Sequence, residues 1–126
     1  MPIAYWCVLI AGLLPVLTVG GAKAGRRYDN HNPRTWLDKQ EGWRKRADAA
    51  HRNHFEAFPF FAAGVLIAAQ MHVAQATIDN LAMAFIAARV VYTVLYLTNA
   101  AMLRSLAWAV GFGCVVALFV RAAQVG

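Results

Sequence analysis

The sequence predicts an all-α integral membrane protein, a bundle of four helices that each cross the bilayer. Three observations predict it. The 126 residues are 60% hydrophobic and only 14% charged, with mean hydropathy +0.47. A soluble domain is usually about a quarter charged, and a chain this short has too little interior to hide so much apolar surface. Apolar runs of about 20 residues, enough to span a hydrocarbon core of about 30 Å, recur along the chain. Finally, eight of the twelve Lys and Arg fall between Lys23 and Arg46, next to the first of those runs. So placed, the net charge of +6 reads as orientation and anchoring rather than as a nucleic-acid surface. No helix-turn-helix, zinc-finger or base-stacking pattern accompanies it.

The first span is Ile3 to Ala22, with Pro15 inside it; membrane helices tolerate such a proline. No positive n-region precedes it, so it reads as an uncleaved span and not a signal peptide. Lys23 to Trp43 is a polar connection. Asn32-Pro33-Arg34 is a turn signal within it, because the residue before proline is pushed out of the helical region. Trp36 to Trp43 reads as a short interfacial turn of helix with its two tryptophans at headgroup level. The second helix starts near Trp43 or Arg44 and runs to about Met71. Its first dozen residues are too polar for lipid tails, whereas Ala57 to Met71 is apolar. Ala74 to Thr77 reads as a turn, and the third span covers Ile78 to Leu97 with a single interior charge, Arg89. Thr98 to Ala101 connects it to a fourth span, Met102 to Val120, where Gly111 and Gly113 permit close helix approach. One domain, residues 1–126, accounts for the chain. Cys7 and Cys114 each lie in an apolar run and read as buried small residues. His51, His54 and His72 lack metal-ligand spacing.

The positive-inside rule puts the basic first connection, which includes Arg26, and the one before Arg104 inside. Both chain ends and the uncharged second connection then lie outside. Each helical residue advances about 100°, so Arg46, Asn53 and Glu56 share a face, with Arg52 at its edge. Arg89, Tyr92 and Tyr96 share a face of the third span. Because the second helix enters from the inside, the third returns there and the fourth leaves from there, these residues collect with Arg104 and Ser105 at one end of the bundle. Such a pocket suits an anionic ligand with several hydrogen-bonding groups. Glu56 and Arg89 each lie about ten residues, or roughly 15 Å, from that surface. Equal depth and opposite charge predict a buried ion pair between them.

His51-Arg52-Asn53-His54-Phe55-Glu56-Ala57-Phe58-Pro59 resembles the signature R-A-H/Q-x-N-x-x-E-x-x-P of the MAPEG family, the membrane-associated proteins in eicosanoid and glutathione metabolism. Arg89 to Tyr96 resembles that family's R-x-x-Y/H-x-x-x-Y segment, and Arg104-Ser105 its Arg-Ser at the start of the fourth helix in the prostaglandin E synthase branch. The resemblance covers essentially the whole chain and is closest to bacterial-type members. It implies a homotrimer in the inner (cell) membrane of a bacterium, with glutathione as co-substrate bound between subunits near the cytoplasmic side. By position, Asn53, Glu56, Arg89, Tyr92 and Tyr96 hold the peptide, and Arg104, with Ser105, stabilises its thiolate. The implied activity is a glutathione transferase or peroxidase acting on a lipophilic small molecule that arrives from membrane lipid. The alternative is a non-catalytic member of the fold that binds an amphipathic anion or a partner. The chain departs from the signature at Ala49, where the family has arginine; Arg46 or Arg52 stands nearest to replace it.

Overall fold

In a computed structural model of the chain, residues 1–25 and 27–125 are described; Arg26 and Gly126 lie outside the described residues. Five helices follow one another: α1 Ile3–Lys23, α2 Pro33–Asp38, α3 Gly42–Gln70, α4 Gln75–Leu97 and α5 Ala101–Val125. No strand occurs among the described residues. α1, α4 and α5 are long and apolar enough to cross a membrane. α3 is the longest, at 29 residues, but its first half carries Arg44, Lys45, Arg46, Asp48 and Arg52, and it is not among the three.

α3 and α4 form the inner pair. α1 packs against both on one flank and α5 against both on the other. The reason is legible in α1. Its buried residues Ala4, Cys7, Ala11, Pro15, Val19 and Ala22 recur every three or four positions and so form one stripe of mostly small side chains. Without a hydrophobic driving force in lipid, small residues are what let helices approach. Ile3, Trp6, Leu9, Leu13 and Leu17 on the other face stay exposed, as suits contact with lipid. The helix runs unbroken through Pro15, whose carbonyl accepts a hydrogen bond from His51 Nδ1–H at 2.9 Å.

The centre of the core is aromatic. Phe61 of α3 stacks on Phe85 of α4 with ring centroids 4.0 Å apart, and Val65, Ile78 and Leu118 are fully buried around them. α5 can come this close because α3 has Gly64 here: a Cβ would lie 3.3 Å from Phe119 and 3.4 Å from Leu118. Of the two glycines expected to permit close approach, Gly111 does, with Ala88 and Phe85 at 3.6 and 3.7 Å from where its Cβ would be. A Cβ at Gly113 would meet nothing within 4 Å outside its own helix among the described residues.

Several boundaries differ from the sequence expectation. The short helix is Pro33–Asp38, not Trp36 to Trp43, because Asn32 is its N-cap position and Pro33 occupies its first turn, where a missing N–H costs nothing. α4 begins at Gln75 rather than Ile78. The chain reverses within Met71 to Ala74, where His72 takes φ 60° and Val73 N–H reaches back to the Ala68 carbonyl at 3.0 Å. That is a Schellman closure. The same device ends α4, with Asn99 at φ 62° and Ala100 N–H on Leu95 O at 2.9 Å. α5 continues to Val125, past the expected Val120.

Two contacts fix which helix ends lie together. Asp79 of α4 accepts the Ala4 N–H at 2.9 Å, an acid at the positive end of α1. At the opposite end, Arg46 of α3 donates from Nε (3.2 Å) and Nη2 (3.0 Å) to the Leu97 carbonyl, a cation at the negative end of α4. The start of α3, the end of α4 and the start of α5 therefore meet, as the sequence had suggested. Beside them, buried Arg44 lies over the Trp43 ring and donates to the Ala24 carbonyl at 2.8 Å, tying the first connection to α3.

Candidate functional site

Arg89 is the deepest cation of the chain among the described residues, with 2% of its surface exposed. Its guanidinium donates from Nη2 (2.8 Å) and Nε (3.2 Å) to Nδ1 of His54, itself 2% exposed. His54 Nε2–H donates to the Thr93 hydroxyl at 2.8 Å, and that hydroxyl donates to the Arg89 carbonyl at 2.8 Å. These roles follow from one another. Arginine only donates, so Nδ1 must accept. The Thr93 proton goes to the carbonyl of the preceding helical turn, so its oxygen accepts from Nε2–H. The closed loop therefore assigns a neutral imidazole with its proton on Nε2.

The expected Glu56–Arg89 ion pair does not form. No carboxylate lies within salt-bridge distance of Arg89 among the described residues, and Glu56 is exposed. Helix geometry gives the reason. His54 and Glu56 are separated by about 200° around α3, so a guanidinium turned to His54 is turned from Glu56. Glu56 and Arg89 nevertheless line one cavity of about 160 Å³ between α3, α4 and α5. Asn53, Glu56 and Arg89 form its polar side; Phe60, Trp108 and Phe112 form much of its apolar side. Asn53 Oδ1 is buried and has no hydrogen-bond partner among the described residues. The apolar side continues as a column of rings: Trp108 on Phe112 at 5.1 Å, Phe112 on Phe60 at 5.7 Å, Phe60 on Phe119 at 5.3 Å.

The other residues singled out in the sequence divide into two groups. Tyr92, Tyr96 and Arg104 continue from the Arg89 centre toward the helix ends. The Arg89 guanidinium carbon lies 4.4 Å from the Tyr92 ring centroid, Tyr92 meets Tyr96 edge-on at 5.5 Å, and Arg104 lies 4.2 Å over Tyr96. Ser105 is exposed beside Arg104 and makes no side-chain hydrogen bond among the described residues. Arg46 holds the end of α4, as described. Arg52 stands apart. It is turned toward α2, pairs with Asp38 (2.9 Å) and Asp48 (3.2 Å), and lines a different surface depression with Arg34 and His51. It is one residue, or about 100°, from Asn53, enough to put it on another side of α3. Neither Arg46 nor Arg52 brings a guanidinium to the cavity in place of the arginine missing at Ala49.

His54 was missed. A histidine beside the signature carried no spacing signal of its own. The usable signal was on α4: a buried arginine in a membrane helix must find an acceptor. The sequence offered two on α3, Glu56 and His54, and charge favoured the wrong one. No group of histidine, cysteine or acidic residues among the described residues is arranged to hold a metal ion.

No curated protein and no solved structure matches the chain. The model of the MAPEG family matches residues 3–124. With that match covering nearly the whole sequence, and three membrane-capable helices within it, the chain belongs to the MAPEG family.

Proposed function

We propose that the protein is a glutathione-dependent membrane enzyme that uses a thiolate held by Arg104 against a lipophilic electrophile or a lipid hydroperoxide. The family consists of membrane proteins of glutathione and eicosanoid metabolism, and this supports the general class. The observation that carries the specific reading is the cavity in which Asn53, Glu56 and Arg89 face aromatic rings. Glutathione has two carboxylates and one ammonium. Arg89 suits a carboxylate, Glu56 the ammonium, and the unpartnered Asn53 oxygen a peptide or ammonium N–H. The co-substrate supplies the nucleophilic sulfur. A thiol ionises near pH 8.5 when free, and a guanidinium close by lowers that value and raises the reactive fraction at neutral pH. Arg104, ordered over Tyr96, is the guanidinium best placed for this. The aromatic column from Trp108 to Phe119 suits the apolar substrate.

On this reading residues 1–126 form one domain, α3 is a fourth span, and three subunits assemble so that neighbours complete each site. The basic first connection lies inside. A cysteine introduced at Gln75 is then labelled by an impermeant reagent in intact cells, and one at Asn30 is not; the reverse pattern puts the site on the wrong side.

The absence of a replacement arginine for Ala49 favours a second reading, a non-catalytic family member that binds an amphipathic anion. The ultraviolet difference spectrum of purified protein with glutathione separates the two. A thiolate band that disappears in Arg104→Ala is the enzyme's result. Neither a band nor a heat of binding is the result for the second reading.

A further inference from the structure

We infer that His54 is a positioning residue: it holds the Arg89 guanidinium with a neutral acceptor, so that the full positive charge stays available to an anionic group of the ligand. The inference deepens the glutathione reading and rests on it for the identity of the ligand.

The usual partner of an arginine buried in a membrane protein is a carboxylate, because an isolated charge there is costly. Here the partner is an imidazole whose state is assigned by its own partners. Thr93 takes the Nε2 proton, which leaves the Nδ1 lone pair for Arg89. The Thr93 hydroxyl is held in turn by the Arg89 carbonyl, so the acceptor for the Arg89 side chain is anchored to the Arg89 backbone. A guanidinium fixed at Nε and Nη2 has lost most of its rotational freedom before any ligand arrives. Its two bonds to His54 use two of its five N–H groups and leave the rest. No charge has been cancelled, and the same side chain borders the cavity.

The chemistry of the ligand follows. A carboxylate at position 54 would have cancelled the Arg89 charge within the protein, whereas a neutral acceptor leaves that charge for whatever enters. Glu56 borders the same cavity, also without an ion-pair partner among the described residues. One cation and one anion that border one cavity without pairing are complemented by a zwitterion whose carboxylate meets Arg89 and whose ammonium meets Glu56. Simple fatty anions have only half of that pattern.

The test has a part that needs no ligand. In nitrogen-15 spectra of histidine-labelled protein in detergent at neutral pH, one imidazole, absent from His54→Asn, is expected to be neutral with its proton on Nε2. Its Nδ1 resonance is expected to move in Arg89→Leu. An imidazolium, or a proton on Nδ1, overturns the proposal. The second part is calorimetric titration with glutathione. His54→Leu removes the acceptor and should weaken binding about tenfold or more, the scale of a hydrogen bond to a charged group. In His54→Asn the amide oxygen stands where Nδ1 stood, and affinity should stay within about threefold of the parent. Equal losses in the two variants would mean that ring packing alone matters. In an Arg89→Gln background, His54→Leu should have no further effect; an additive loss overturns the coupling. If His54→Leu does not fold, His54→Asn and the spectra still decide. If the parent protein shows no heat with glutathione, the proposed function fails, while the tautomer result stands or falls separately.

Discussion

Two of the arginines that α3 meets, Arg52 and Arg89, are treated in opposite ways. Arg52, in the polar first half of α3, keeps 55% of its side chain exposed and shares its charge between Asp38 and Asp48. Asp48 chiefly, with Asp38 adding to it, raises the guanidinium further above its ordinary pKa. Water and salt screen the Arg52–Asp38 pair, and exposed pairs of this kind contribute about 0–1 kcal/mol; Asp48 is buried, so its pairing with Arg52 is screened less. Arg89 is buried, touches no carboxylate among the described residues, and is held by a neutral ring. The first arrangement ties the short helix α2 to α3 with a charge already neutralised. The second is structurally costlier and leaves a charge exposed only to what enters the cavity. Sequence alone ranks the two alike, since both are arginines of family-like segments. What separates them as candidates for function is whether the protein has already supplied the counter-charge.

The sharpest way to break this contrast is Arg89→Leu. Glutathione affinity is expected to fall about 100-fold, roughly 3 kcal/mol, because a charge-assisted contact made by a buried guanidinium is lost. The protein should still fold, since a buried charge without a carboxylate partner contributes little net stability. In the double variant His54→Leu/Arg89→Leu, which leaves no orphaned acceptor, detergent melting should show stability equal to the parent or higher by about 1–4 kcal/mol. A large loss of stability in the double variant would mean that the Arg89 loop serves the fold and not the ligand.

Glu56→Gln sharpens the same comparison from the anionic side. Glu56 is exposed and outside every ion pair among the described residues, so the melting curve should move by no more than about 0.5 kcal/mol. Calorimetry should nevertheless show glutathione binding weakened about tenfold, the cost of losing one charged partner for the ammonium. A ligand whose affinity ignores Glu56 is not a zwitterion in the proposed pose.

The smallest effect on glutathione affinity is expected at Arg52→Ala. Glutathione affinity should not change, whereas stability should fall by about 1–3 kcal/mol, because the buried Asp48 carboxylate loses its ion-pair partner among the described residues. A clear loss of affinity would return Arg52 to the site and require α2 to move.

The arrangement of the site was partly legible. Asn53, Glu56 and Arg89 do border one cavity, and Tyr92, Tyr96 and Arg104 do follow one another along α4 and into α5. Spacings of three and four along a helix put residues on one face, and short turns return helices to one depth; neither inference needs coordinates. Pairing was not legible in the same way. A guanidinium reaches several neighbours, and phase differences of about 100° between Asn53, Arg52 and His54 decide which it meets. For that reason His54 received no role in the sequence reading, and Arg52, expected at the edge of the face shared by Asn53 and Glu56, is turned toward Asp38 and Asp48.

By itself, the sequence determined that this is a helical membrane protein, where its long helices run, and which helix ends gather. These follow from apolar length, from the position of Lys and Arg, and from turn chemistry, all of which are local properties of the chain. Only the tertiary structure decided that Gly64 rather than Gly113 receives a neighbouring helix, that Arg46 closes the end of α4, and that the buried arginine is held by His54 and not by Glu56. Each of these depends on the rotation of one helix about its axis relative to another. That rotation is set by the sum of many weak packing contacts across the whole interface, which no single stretch of sequence contains.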